Sequence, residues 1–287
     1  MKKVSWNDGS SIRISELKEE QVKQAIKEWS EGSEALEKLL WNCYKNKVIT
    51  TGCDSGNHNH FPYLRFLIDE SAQENVKKIL LATDNFAQSE ILIKFGGNPH
   101  SGPDWYKSSI SVKPIRKEDA NVFFSKINCV LQKKENDINE YVELLLSLYD
   151  FFKDKLAGIS IFIIKNKNTY SISFNSFLNK NNWDYYTKIL SKAHLKLEKP
   201  KSPEDPFVCW KHTSEGKEEF ILCLKKILEV LKENWSLKIP DKVTKDMSFN
   251  YSALVMQKKY GTDEKGIQLM NKWINSNKFE GMREVNY

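Results

Sequence analysis

A chain of 287 residues with 40% hydrophobic content is long enough to bury one large core or two ordinary ones. Its formal net charge of +6 is modest for that length. The longest apolar runs, "ISIFII" and "VELLLSLYDFF", fall short of the roughly 18 residues that a membrane helix needs, and the residues after Met1 are polar, so a cytoplasmic protein with no membrane partner is expected.

Helical periodicity opens the chain. Val22, Ala25, Ile26 and Trp29 form one apolar stripe, and Leu36, Leu39, Leu40 and Cys43 form a second after a break at Gly32. "KVITTGC" and "YLRFLID" read as strands around the loop "CDSGNHNHFPY". Ser71 is the expected N-cap of a helix over "AQENVKKILLATDNF", with Glu74 in the capping-box position. "EILIKF" and "KSSISVKPI" read as a second strand pair around "GGNPHSGPDWY", followed by the helix "KEDANVFFSKINCVLQ". This order suggests an α-β-β repeat. Residues 1–132 are therefore expected to form an α+β domain, with helices packed on one face of an antiparallel sheet.

"QKKENDIN" is poor in apolar residues and marks the expected domain boundary. Residues 139–287 are expected to form a second, mostly helical domain. "EYVELLLSLYDFFKDKL" is apolar nearly all round, "GISIFIIKNKNTYSISF" is a hairpin, and "NNWDYYTKILSKAHLKL" is a helix. "FVCW" is a short strand, "GKEEFILCLKKILEVLKENW" a long amphipathic helix, and "KGIQLMNKWINSN" a shorter one before a terminal tail.

The five cysteines are odd in number and widely spaced, with no C-x-x-C pair, which argues against a disulfide framework and a four-cysteine zinc ribbon. In the first loop, Cys53, Asp54, His58 and His60 are all zinc-ligand types, and His100 from the second loop could complete a set. Four ligands from one short loop must bend tightly round an ion, and the spacing matches no standard zinc pattern. No resident cofactor is therefore expected, with zinc as the alternative. Cys53 with His58 as base would supply the residue types for a covalent catalyst, although such groups normally come from separate elements. HExxH, GxSxG, GxGxxG and P-loop signatures are all absent from the sequence.

The segment "LEKLLWNCYKNKVITTGCDSGNHNHFPYLRF", about residues 35–66, resembles a pattern in uncharacterised bacterial and prophage proteins. There, a helix with a late cysteine leads into an I-x-T strand, a Cys-containing Gly-His loop and a strand beginning Pro-Tyr. That pattern carries two adjacent cysteines and a joined Gly-His. Here Asp54 replaces the second cysteine and Asn57 separates Gly56 from His58, departures that bear more on a metal or thiol site than on a shared fold. The resemblance implies an accessory role, phage-encoded and directed at a host complex such as a defence assembly.

Positive charge concentrates between residues 155 and 201, where nine lysines face only Asp184 and Glu198. Lys165, Lys167, Lys180, Lys188 and Lys192, interleaved with Tyr170 and Trp183, have the composition of a single-strand nucleic-acid surface. The same alternation also places Tyr170, Ile172 and Phe174 on one strand face, which is the pattern of a core. The window contains no arginine. The expectation is a non-catalytic protein that binds and inhibits a host protein complex. A metal- or cysteine-dependent enzyme and a nucleic-acid binder are the alternatives, and homo-oligomerisation is left open.

Overall fold

Two residues decide the first break in the chain. Glu31 and Gly32 take φ values of 50° and 81°, a left-handed backbone that ends α1 (Glu19–Trp29) and lets α2 (Glu34–Lys45) start in a new direction. Ser33 caps α2, its hydroxyl accepting from the Leu36 N–H. Val22, Ala25, Ile26, Leu36, Leu39, Leu40 and Cys43 are all buried, as their spacing predicts. The structure is a computed structural model that describes residues 3–5, 11–13, 18–57, 60–67, 72–95, 109–133, 139–153, 159–176, 183–198, 208–236 and a few isolated positions between 259 and 272.

Strands β1 (Lys3–Ser5) and β2 (Ser11–Arg13) pair only with each other. The main sheet has eight strands: β3 (Ile49–Asp54), β4 (Tyr63–Leu67), β5 (Gln88–Lys94), β6 (Ser109–Pro114), β7 (Ile159–Asn166), β8 (Thr169–Ser176), β9 (Lys196–Glu198) and β10 (Val208–Glu215). They lie in the order β3-β4-β6-β5-β7-β8-β10-β9, every pair antiparallel. Among the described elements the other α-helices are α3 (Gln73–Asp84), α4 (Ala120–Leu131), α5 (Glu140–Lys153), α6 (Trp183–Lys192) and α7 (Lys217–Asn234).

The α-β-β unit recurs four times, led by α2, α3, α5 and α6, with α4 and α7 each closing a half. Within each half the four strands lie in the order first, second, fourth, third. The halves meet where β5 pairs with β7 over seven consecutive positions, from Gln88↔Asn166 to Lys94↔Ser160. The expected boundary at 132–139 thus falls between parts of one sheet, and one core cluster draws residues from both sides of it. The second half carries four strands, β7 to β10, where period and turn chemistry alone predict a hairpin and one short strand.

Period-two alternation assigns the sheet faces. Leu64, Phe66, Ile91, Ile93, Ile110, Val112, Ile161, Ile163, Ile172, Phe174 and Trp210 point to the helices, and all are at most 2% exposed. The α+β class with helices on one face holds. Three local readings differ. α3 begins at Gln73 with Ala72 as N-cap and no side-chain cap, Ser71 lying outside the described residues. α6 stops at Lys192, because His194 turns the chain at φ 61° and residues 196–198 pair with β10. "FVCW" is the start of an eight-residue strand. The helix expected at "KGIQLMNKWINSN" lies largely outside the described residues.

A polar junction ties the halves together beneath the sheet. The Asp84 carboxylate, 1% exposed, accepts from Lys217 Nζ at 2.5 Å, Asn139 Nδ2 at 3.3 Å and Tyr170 Oη at 3.5 Å. These donors come from α7, the start of α5, and β8, while Asp84 ends α3. Lys217→Met would remove the ammonium that bonds the carboxylate directly. Since Lys217 is 36% exposed, the cost should fall below the roughly 3–5 kcal/mol typical of fully buried pairs, at about 2–3 kcal/mol. Urea unfolding monitored by tryptophan fluorescence is expected to show a loss in that range. A loss below about 1 kcal/mol would mean that Asp84 is solvated in the folded protein.

Candidate functional site

The Cys53 loop can be built atom by atom. Cys53 and Asp54 are successive residues of β3, so their side chains leave opposite faces of the sheet. Cys53 pairs with Leu64 on the core side, and its Sγ donates to the Trp29 carbonyl at 3.6 Å. Burial, reinforced by Glu31 and Asp54, pushes its thiol up to about 12. Asp54 points the other way, Oδ1 accepting from the Gly56 N–H at 2.7 Å, with His60 Nδ1 3.8 Å from Oδ2. Glu31 anchors the turn, accepting from the Ser55 hydroxyl at 2.7 Å and the Ser55 N–H at 3.3 Å, while its carbonyl accepts from Asn57 Nδ2 at 3.0 Å.

The expected ligand set is therefore divided. Cys53 and Asp54 do not share a side of the strand, His60 is exposed, and His58 and His100 lie outside the described residues. Among the described residues, no three His, Cys, Asp or Glu side chains lie close enough together to hold a metal ion. A thiol held near 12 is protonated at neutral pH, which is unfavourable for a nucleophile.

The lysine window is divided as well. Lys165 and Tyr170 converge on the Asp84 junction, where the Lys165 ammonium donates to the Asp84 carbonyl. Burial lowers the Lys165 pKa and, with the Asp84 charge, raises that of Tyr170 to about 12. Lys167 occupies the β7–β8 turn at φ 47° and is exposed. Lys192 sits at the far end of α7, donating to Asn234 Oδ1 at 2.8 Å, with Lys188 exposed one turn earlier in α6. Eighteen helical residues, about 27 Å, separate these two groups. Lys180 lies outside the described residues, as does the side chain of Trp183, whose backbone begins α6.

A different set of residues comes together on the sheet face away from the core. Register places them in three rows. Leu67, Ser109, Lys94, Ser160 and Asn175 form one, and Arg65, Ser111, Leu92, Phe162 and Ser173 the next. Lys113, Glu90, Ile164 and Ser171 form the third. Arg65 is held in place from two sides. Its Nε donates to Ser111 Oγ at 3.0 Å, and its guanidinium lies over the Tyr63 ring, 5.3 Å from the centroid. Gly52 gives that ring its space, since a Cβ there would stand 3.3 Å from Tyr63 Oη.

Lys94 is on β5, separated from Arg65 by β6, and is half-buried with no hydrogen bond or ion pair among the described residues. Burial lowers its pKa, and the Arg65 charge lowers it further. Glu90, the carboxylate on the same face of β5, is engaged by Lys113 at 3.0 Å. The Asn175 Oδ1, in the Lys94 row, is buried with no donor among the described residues. The strand phases of Arg65 and Lys94 are legible in the sequence. Their convergence is not, because β6 enters between β4 and β5 from the far side of a helix.

No protein-family model, curated protein or solved structure matches the chain.

The buried Cys53 thiol and the exposed Cys129 thiol differ enough for chemical modification to separate them. With iodoacetamide at pH 8, peptide mass spectrometry is expected to find Cys129 alkylated and Cys53 untouched until denaturant is added. Equal rates on the native protein would mean that the β3 edge opens.

Proposed function

We propose that this chain is a non-catalytic binding protein whose partner docks on the sheet face away from the helices, and that docking inhibits a host protein complex. The observation that carries the reading is the composition of that face. Leu92, Phe162 and Ile164 lie side by side on the two central strands, β5 and β7, each partly exposed. Around them stand Arg65, Lys94 and Lys113, one carboxylate in Glu90, and the hydroxyls of Ser111, Ser171 and Ser173. An apolar centre with a polar rim is the usual anatomy of a protein interface, and aromatic and arginine side chains dominate its energetics. The excess of cations over carboxylates favours an acidic partner surface. The bacterial and phage setting rests on the resemblance of residues 35–66 alone.

Two observations weigh against the alternatives. Lys165 and Tyr170 are occupied at the Asp84 junction, which removes the centre of the basic window from any nucleic-acid surface. The Cys53 thiol is protonated and turned toward the core, which weakens the loop as a catalytic centre.

The test is affinity capture from bacterial lysate with the wild-type chain, an Arg65→Glu, Phe162→Asp double variant, and Leu222→Asp on the exposed side of α7. Melting curves check that each variant folds. The expected result is a stoichiometric protein complex retained by wild type and by Leu222→Asp, and reduced at least about tenfold by the double variant. Equal retention by all three proteins, or retention of nucleic acid alone, would refute the reading.

A further inference from the structure

The far face contains a pair of cations, Arg65 and Lys94, that differ from the lysines neutralised by carboxylates. Lys113, Lys217 and Lys225 each have a carboxylate within 3.0 Å. Lys94 is half-buried with no acceptor among the described residues, and Arg65 has one bond, from Nε to Ser111, which leaves both terminal nitrogens of its fork without a partner there. A desolvated ammonium without an acceptor is a destabilising feature of a folded protein, and so is an adjacent guanidinium of the same sign. Such an arrangement is stabilised by an anion that accepts from both.

The geometry sets the size of that anion. Arg65 pairs with Ser111, and Lys94 with Ser109, on the intervening strand β6. Two strand spacings and a two-residue offset put the Arg65 and Lys94 Cα atoms about 12 Å apart. Both side chains are long enough to reach a single tetrahedral oxyanion placed between them, beside the buried Ser109 and the half-buried Ser111. Arg65 is preorganised for this by the Tyr63 ring and the Ser111 hydroxyl, so little side-chain freedom is lost on binding. A guanidinium fork and an ammonium together match several oxygens on one centre, which suits phosphate better than a carboxylate.

We infer that Arg65 and Lys94 bind a phosphate group, carried by free phosphate or by a small phosphate monoester. The site lies within the proposed docking face but needs no partner in order to bind. Its failure is therefore separable from failure of the docking reading.

The test is thermal unfolding and calorimetric titration of the full chain with inorganic phosphate, with ribose 5-phosphate, and with sodium chloride at matched ionic strength. Wild type is expected to melt higher in phosphate than in chloride and to give a saturable heat of binding. Whichever of free phosphate and the sugar phosphate binds more tightly identifies the source of the group. Lys94→Met is expected to melt higher than wild type without phosphate, because it removes an unpartnered charge, and to lose the phosphate-dependent shift. Arg65→Gln keeps a donor to Ser111 and should weaken phosphate at least tenfold, whereas Leu222→Asp, on the exposed side of α7, should leave phosphate binding intact. Equal shifts in phosphate and chloride would overturn the inference. So would a Lys94→Met variant that keeps the phosphate shift, or one that melts lower than wild type.

Discussion

The seven-residue pairing of β5 with β7 is the contact on which the rest of the molecule depends. Each half supplies four strands in the same order and helices that cover one side. Alone, each half would leave a long unpaired edge, β5 in the first and β7 in the second, rich in Ile and Leu and prone to pairing with other chains. Joining those edges removes both hazards and fixes the register of all eight strands. A slip by one residue would turn Ile91, Ile93, Ile161 and Ile163 away from the helices.

That register has different consequences on the two faces. On the helix side it brings Ile and Phe side chains into one continuous core, and at one end of the sheet it sets Lys165 and Tyr170 against Asp84. Asp84 is the last residue of α3 in the first half, and its donors all belong to the second, so the junction fixes the angle between helices that the strand pairing leaves free. Away from the helices, the same register buries Leu67, Ser109 and Ser160 along one row and leaves Leu92, Phe162 and Ile164 partly exposed in the next two. Leu92 meets Phe162 across the central pair, and the cations of β4, β5 and β6 stand beside them. The apolar centre of this face is a by-product of the junction, since β5 and β7 are the strands that bring it together.

Much of this is legible in the sequence because the information is local. The breaks at Gly32, the strand pairs and the α-β-β order follow from period and turn chemistry. β9 escaped because Ala193 and Leu195 continue the apolar spacing of α6, and only the positive φ at His194 and the pairing with β10 end the helix. The single sheet escaped because "QKKENDIN" is polar whether or not the strands on either side of it are neighbours. The Cys53 loop reads as one ligand set for a similar reason. Adjacent Cys53 and Asp54 look like partners in a string of letters, although a strand sends them to opposite faces. Arg65 and Lys94 are far apart in sequence, and their approach depends on β6 inserting between their strands.

Exposed apolar residues elsewhere, Val122 on α4 at 64% and Leu222 on α7 at 65%, are the natural rivals of the far face as a docking surface. A photoreactive amino acid placed singly at 122, 162 and 222, followed by illumination in bacterial cells, compares the three surfaces directly. Docking on the sheet face away from α2–α7 predicts a crosslinked protein adduct from position 162 and none from 122 or 222. An adduct from 122 or 222, with position 162 silent, would contradict it.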